Sequence, residues 1–438
     1  MKTIYILLPG LFLTSSLELA DAGDSDAPSV RSDRPSLREV TAAALGNNAS
    51  IKAVRAKWEV MKARIPQAAA WDDPMAGVDA ERFGTTRFGT YTDTEWMVSQ
   101  KIPLAGKNRS LARAAGAEAL ATLEELRRRQ LDVIARVRAA YFSLHNAYAQ
   151  LEVNRRNETL LAQFSEISTA KYAVGTQTQA NVLIAETDRI RLIENRKDLD
   201  RDLSEAESQL NMLMNRPARA PIGQPADVTL KHPAFQLRGI EMLALQNRPE
   251  LQLAEQRVAA KQYQLQAAKR EWIPEPQFRV EARHLKGSND TLQEYDTGIF
   301  FTIPWGNWGK YRAREMEAQK SVEMSMRDLE SARTETLGLV RDGLKKVETF
   351  HHHVELFRER LLPAARQTVE ASRIGYESDK SGFLELITAQ RSLRDAESIY
   401  HRHLADYRTA LAELEAIVGA DLGIFPRVSL TSTNPASK

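Results

Sequence analysis

The chain has 438 residues, 60 Lys and Arg against 58 Asp and Glu, and no Cys. The missing Cys excludes disulfides, a thiolate nucleophile, cysteine zinc sites and a lipidated Cys anchor. A net charge of +2 excludes the one-sided basic surface of a nucleic-acid binder, and an aromatic content of 7% favours long, intertwined helices over thick globular cores.

The N-terminus has the pattern of a secretory signal peptide. Lys2 precedes an apolar run over residues 4–13, and the small-residue site Ala20-Asp21-Ala22 follows. The apolar run is too short to span a bilayer as a helix. We therefore predict a signal peptide at 1–22 and a flexible N-terminal segment at 23–36, with an N-terminal membrane anchor as the alternative.

The rest of the sequence repeats itself at an offset near 200. Matching positions are Leu37 with Leu237, Leu45 with Leu245, Asn47 with Asn247, Trp71 with Trp272, and Tyr172 with Tyr376. Such a period indicates two copies of one unit. The predicted segments are repeat 1 at 37–216, a proline-rich linker at 217–236, repeat 2 at 237–420 and a C-terminal tail at 421–438.

Each repeat is predicted to contain a helix, a β-hairpin and a long helix pair, in that order. The first helices cover about 37–70 and 237–270, and the hairpins cover about 75–101 and 276–304. Apolar residues in the long helices recur in steps of three and four, which indicates coiled-coil packing. Because no proline occurs from Leu104 to Tyr172, that stretch predicts a rod of roughly 100 Å, whereas Pro363 predicts a kink or break in repeat 2.

The predicted strands carry apolar residues on one face and charged residues on the other. Phe278 and Val280, for example, alternate with Arg279 and Glu281. A soluble sheet and a membrane barrel both fit this pattern, but no predicted helix is placed to cover the apolar face. Four strands cannot close a barrel and open edges are not tolerated in lipid, so several chains must contribute. Three chains would give twelve strands, although this count does not by itself select a trimer.

This architecture resembles the TolC family of outer-membrane efflux ducts over residues 37–420. The signatures are Tyr172-Ala173-Val174-Gly175 with Val182-Leu183-Ile184-Ala185-Glu186 in repeat 1, and Leu361-Leu362-Pro363-Ala364, Tyr376, Gly382-Phe383-Leu384-Glu385-Leu386 and Thr388-Ala389-Gln390-Arg391 in repeat 2. The resemblance implies a mainly α fold with a small β part. Long coiled-coil hairpins would form a periplasmic tunnel, and four strands per chain would join a twelve-stranded barrel.

The resemblance also implies a passive homotrimeric duct in outer-membrane lipid, with no enzymatic activity and no cofactor. Its implied partners are a periplasmic adaptor (membrane fusion) protein and an inner-membrane pump of the RND type. The segment Gln100-Lys101-Ile102-Pro103-Leu104-Ala105-Gly106-Lys107 resembles the strand-to-helix corner of the heavy-metal efflux branch. Heavy-metal cations are therefore one predicted cargo, and drug efflux or type I secretion is the alternative.

Three groups of residues are candidate functional sites. The tip turns, near 173–179 and 377–382, lie furthest from the hairpins and are the predicted periplasmic mouth. The candidates are Tyr172, Gly175, Tyr376 and Gly382 for the tip turns and adaptor docking, Glu377, Asp379 and Glu385 for an acidic ring at the aperture, and Pro103, Pro304 and Trp305 for the barrel-to-tunnel corner. An acidic ring would favour cations, but a solvated acidic turn explains the same residues.

The sequence predicts neither a catalytic site nor a metal site. It contains no P-loop, G-x-S-x-G or H-E-x-x-H motif. Consecutive His351, His352 and His353 point in different directions on a helix, and His401 and His403 also lack the i, i+4 spacing of a helical chelator. Two other classes of protein compete with the duct: a periplasmic coiled-coil scaffold without a barrel, and an envelope enzyme on a helical stalk.

Overall fold

The computed structural model describes residues 34–81, 93–228, 230, 235–286, 291–378 and 380–426. The helices are α1 (Leu37–Asn47), α2 (Ala49–Ala69), α3 (Lys107–Ala173), α4 (Gln179–Leu213), α5 (Leu237–Asn247), α6 (Pro249–Arg270), α7 (Trp308–Leu356), α8 (Leu362–Glu377) and α9 (Phe383–Val418). The strands are β1 (Met75–Glu81), β2 (Asp93–Lys101), β3 (Pro276–Lys286) and β4 (Thr291–Phe301). The mainly α fold with a small β part is as predicted.

The signal peptide predicted at 1–22, most of the flexible segment at 23–36 and the tail beyond residue 426 lie outside the described residues. Within the described part of the chain, no helix combines the length and the apolar composition that a membrane-spanning helix requires.

The first helix of each half differs from the prediction. The prediction of one continuous helix at 37–70 and another at 237–270 was wrong, because the chain leaves the helical conformation at Asn48 and at Arg248. Asn48 Oδ1 accepts a hydrogen bond of 3.0 Å from Ser50 N and so begins a new helix. Arg248 precedes Pro249, which disfavours the helical conformation of the residue before it.

The long helices follow their predicted lengths. α3 runs without interruption for 67 residues, which corresponds to about 100 Å. In the second half, α7 ends at Leu356, a π-helical turn covers Phe357–Leu361, and α8 begins with Pro363 in its first turn. The break predicted at Pro363 is therefore present, and the proline occupies a position where its missing N–H costs little.

The four strands form one antiparallel sheet in the order β1-β2-β3-β4. One row of paired residues runs Val78, Trp96, Ala282 and Tyr295 across all four strands. This face is open, with Trp96 59% and Tyr295 72% exposed. The opposite face carries ion pairs. Arg279 pairs with Glu281 at 2.6 Å, and Arg283 pairs with Glu95 at 3.7 Å.

A single large cluster, here called the main core, lies where both halves meet. Its buried side chains come from α1, α2, α3, α4, α5, α7 and α9, and the fully buried ones include Val40, Val137, Tyr141, Leu144, Leu210, Val340, Leu411 and Leu414. The linker adds Ile222, and the chain after α9 adds Ile424 and Phe425. The Tyr141 hydroxyl lies 2.7 Å from the carbonyl oxygen of Ala226 and 3.0 Å from that of Pro35, so it fixes the linker and the start of the first repeat.

Candidate functional site

The turns that end the two helical hairpins lie side by side and are joined through Tyr376. These turns, residues 174–178 after α3 and 378–382 after α8, with the adjoining helix ends, are here called the tip. Gln177 Nε2 donates a hydrogen bond of 2.7 Å to the hydroxyl of Tyr376. Lys171 Nζ lies 4.3 Å from the centre of the Tyr376 ring and 3.5 Å from its carbonyl oxygen. The tip of the first hairpin therefore holds that of the second.

A small apolar cluster, here called the tip core, supports this joint. Tyr376 is only 5% exposed, and its ring centre lies 5.7 Å from that of Phe383. The members of the tip core are Leu161, Ala185, Leu192, Tyr376, Phe383, Leu386 and Ile387. They come from both hairpins, so the tip core is the apolar contact between the two halves at this end of the molecule.

The glycines of the tip have unequal roles. Gly175 has a φ of +75°, a conformation that other residues adopt only with strain, and it follows the end of α3. Gly382 has an ordinary φ of −78° and no neighbour within 4 Å of an added β-carbon, so its backbone does not require glycine. The sequence missed Gly375, where a β-carbon would lie 2.6 Å from Ser381 Oγ.

One of the acidic residues of the tip, Glu377, forms an ion pair with an arginine of its own helix. Glu377 Oε1 accepts a hydrogen bond of 2.6 Å from Arg373, which also pairs with Glu370 at 2.6 Å. The hydrogen bond with Glu370 raises the pKa of Arg373 and lowers that of Glu370. Glu385 is exposed in the first turn of α9. Asp379 lies outside the described residues, and Tyr172, 47% exposed, lies beside the turn.

A second joint between the hairpins lies further from the turns. The Asp188 carboxylate, only 3% exposed, accepts two hydrogen bonds from Arg391, at 2.6 and 2.7 Å. Beyond it, Gln390 Nε2 donates a hydrogen bond of 3.0 Å to Asn157 Oδ1. Sequence reasoning missed this joint, although a signal was present: Asp188 falls on the apolar stripe between Ala185 and Leu192, where a carboxylate requires a partner.

The barrel-to-tunnel corner is held by charged side chains. Pro304 is buried, Pro103 is half-buried and Trp305 is exposed. The contacts that sequence reasoning missed are a 2.6 Å hydrogen bond from Arg270 Nη1 to the carbonyl oxygen of Gly106, and ion pairs of Glu271 with Lys107 at 3.1 Å and Arg314 at 3.0 Å. Burial alone would raise the pKa of Glu271, but these hydrogen-bonded cations hold it below its usual value.

At the tip, the two hairpins are joined by one small apolar cluster and by hydrogen bonds and ion pairs, which water can replace at small net cost. Among the described residues, no group of three or more His, Asp or Glu side chains is placed to hold a metal ion.

Comparisons with known proteins agree with this architecture. The sequence pattern of the outer membrane efflux protein family matches residues 40–216 and 242–420. The toluene efflux pump outer membrane protein TtgF of Pseudomonas putida is 26% identical over 385 residues, which cover 83% of this chain and 78% of TtgF. The cation efflux system protein CusC of Escherichia coli is 23% identical over 365 residues, which cover 78% of this chain and 76% of CusC.

A solved structure shows the same fold. The outer-membrane channel OprN superimposes with a TM-score of 0.75 at 17% identity, over 90% of this chain and 94% of that chain.

Proposed function

Because the chain belongs to the outer membrane efflux protein family, we propose that it is the passive exit duct of a tripartite efflux system. In this proposal the chain is exported by its signal peptide and forms a homotrimer in the outer membrane, without a lipid anchor. The sheets of three copies join into a twelve-stranded barrel, and the long helices form a tunnel through the periplasm. A periplasmic adaptor docks at the tip, and an inner-membrane pump of the RND type supplies the energy.

The observation that carries this proposal is the four-stranded sheet. Its apolar face is exposed in the single chain, while ion pairs cover the other face, as expected for a lipid-facing surface and a water-filled lumen. Within the described residues, β1 pairs only with β2, and β4 pairs only with β3. Two free edges beside an apolar face are costly in lipid, so they support closure by other copies of the chain.

Cross-linking of the two edges tests this closure. Ala76 on β1 and Thr297 on β4 occupy one row of the apolar face at opposite edges of the sheet. Because the chain contains no Cys, the double variant Ala76→Cys/Thr297→Cys has only two thiols. After treatment of outer membranes with a flexible bis-maleimide, we expect bands of two and three chains and none larger.

The matched control is Ala76→Cys/Val98→Cys, since these residues pair on neighbouring strands of one chain and should give only monomers. Monomers alone from the edge variant, or an open series of larger species, would overturn the closed trimer. A chain found entirely in the soluble periplasmic fraction would instead support the scaffold without a barrel.

The tip is the proposed periplasmic mouth and adaptor-docking region. Its joints connect two hairpins of one chain through few contacts, so an adaptor that binds there has a small barrier to overcome. We propose docking at the surface around Tyr172 and Gly175 at the first turn and Gly382 at the second, with the buried Tyr376 supporting this surface from within the tip core. Glu385, together with Glu377 and Asp379, would be repeated around a threefold axis and so line the aperture with negative charge.

Two cargo classes have support. The corner segment 100–107 and the similarity to a cation efflux protein support heavy-metal cations, whereas the more similar toluene efflux protein supports small apolar molecules. Type I secretion remains an alternative of the same family. Deleting the gene and measuring growth with Cu²⁺, Zn²⁺ or toluene separates the first two classes: we expect hypersensitivity to a metal but not to toluene. The reverse pattern would assign the duct to small-molecule efflux.

A further inference from the structure

The structure brings two histidines from different helices together. The ring centres of His353 on α7 and His403 on α9 lie 4.8 Å apart, and the ring planes are tilted by 46° to each other. The ring centre of Phe350 lies 6.3 Å from that of His353, and Phe357 packs edge-on against His403 at 5.3 Å. The sequence prediction considered the spacing of histidines along single helices, and that spacing does not reveal a pair across two helices.

Both rings leave a nitrogen without a partner. Nδ1 of His353 and Nδ1 of His403 are buried and make no hydrogen bond. A buried nitrogen without a partner is destabilising, so two of them in adjacent rings call for an explanation such as a bound ion.

We propose that His353 and His403 bind a divalent transition-metal ion, with Cu²⁺ bound most tightly. Imidazole nitrogen suits Zn²⁺, Ni²⁺ and Cu²⁺, and affinity rises to a maximum at Cu²⁺. The two rings supply two ligands, and water completes the tetragonal geometry that Cu²⁺ and Ni²⁺ accept. This site is a resident one in the helical part of the chain, and it depends neither on the cargo nor on the barrel.

The distance between the rings fits two neighbouring ligands of one metal. A metal about 2.1 Å from one nitrogen of each ring, with 90–109° between the two bonds, places the ring centres roughly 4.5–5.2 Å apart. The observed separation of 4.8 Å lies inside this interval. The spacing of the two rings is therefore compatible with their binding one metal ion.

The position of the pair suggests what the metal does. His353 lies in the last turn of α7, directly before the π-helical turn Phe357–Leu361 that separates α7 from α8. Phe357, which packs on His403, is the first residue of that turn. A metal that joins α7 to α9 here fixes the two helices at the joint, and π-helical turns are common at functional sites.

Copper binding to the full-length chain, purified in detergent without a histidine tag, tests the proposal. We expect one Cu²⁺ per chain, with the electron paramagnetic resonance pattern of two imidazole nitrogens. Loss of an outer-shell partner alone weakens metal binding about 10–100-fold, so His353→Gln and His403→Gln should each weaken it by more than about tenfold. His352→Gln is the matched control, because His352 is adjacent but exposed, and it should bind as the wild type does.

Three results would overturn the site: no imidazole-ligated Cu²⁺ in the wild type, equal losses in all three variants, or unchanged binding in His353→Gln and His403→Gln. If a variant does not fold, the wild-type chain provides a second test. Cu²⁺ should then protect His353 and His403, but not His352, from diethyl pyrocarbonate, as measured by peptide mass spectrometry. Equal modification with and without Cu²⁺ would also refute the proposal.

Discussion

The main core and the tip join the same two halves of the chain by different means. In the main core, buried side chains from seven helices interlock, and the linker and the residues after α9 close over them. At the tip, a cluster of seven residues is supplemented by hydrogen bonds and ion pairs between the hairpins. Apolar burial is hard to reverse, whereas polar joints can exchange partners with water. We therefore expect the main core to resist unfolding and the tip to be the region that opens most easily.

The largest effect is expected in the main core. Leu411→Ala removes a fully buried side chain and should lower the free energy of unfolding by about 2–5 kcal/mol, measured by circular dichroism in urea. The control is Leu384→Ala at the tip, whose side chain is exposed and should change stability little. If the two variants lost equal stability, the contrast between the regions would fail.

A smaller, local effect is expected from the Asp188–Arg391 joint. Asp188→Asn removes the charge that holds Arg391, but the half-exposed guanidinium recovers water, so we expect a loss of about 1–3 kcal/mol. Hydrogen exchange should accelerate at the start of α9 and remain slow around Val137 in α3. The control is Glu370→Gln, which removes an exposed ion pair on α8, in the hairpin that also carries Arg391. Uniform acceleration along the chain would show that the tip does not open independently.

Removing the hydroxyl of Tyr376 tests one polar contact of the tip and leaves the apolar cluster around it in place. Tyr376→Phe keeps the ring in the tip core but removes the acceptor of the Gln177 hydrogen bond, which should cost about 0.5–1.5 kcal/mol. In planar bilayers we expect more frequent or longer openings. Tyr172→Phe is the control, because Tyr172 is exposed and lies outside the tip core. If the two variants opened equally often and for equal times, the Tyr376 hydroxyl would not be part of the contact that holds the tip closed.

The sequence predicted what is local and missed what joins distant segments. The steps of three and four encode each long helix, and Pro363 marks its break, because these signals act within a few residues. Asp188 and Arg391 are 203 residues apart, and a coiled-coil period does not fix which turns of two helices face each other. The same limit hid the Gln177–Tyr376 hydrogen bond and the His353–His403 pair. The sequence prediction also did not consider Arg373, which pairs with Glu377 one helical turn away.

The smallest effect is expected for the acidic residues of the tip, whose substitution should change the cation preference of the channel. Both glutamates are exposed, but Glu377 is compensated by Arg373, whereas Glu385 makes no ion pair with the described residues. Glu385→Gln should therefore reduce cation preference more than Glu377→Gln does. A charge about 4 Å from a passing cation is worth about 1 kcal/mol in water, which bounds the change in conductance at about fivefold. Arg373→Gln should act in the opposite direction, because it releases the charges of Glu370 and Glu377. Reversal potentials in asymmetric KCl measure all three variants. Equal effects of the two glutamate substitutions would mean that the trimer breaks the Arg373 pairs, and no effect of any variant would refute the acidic ring.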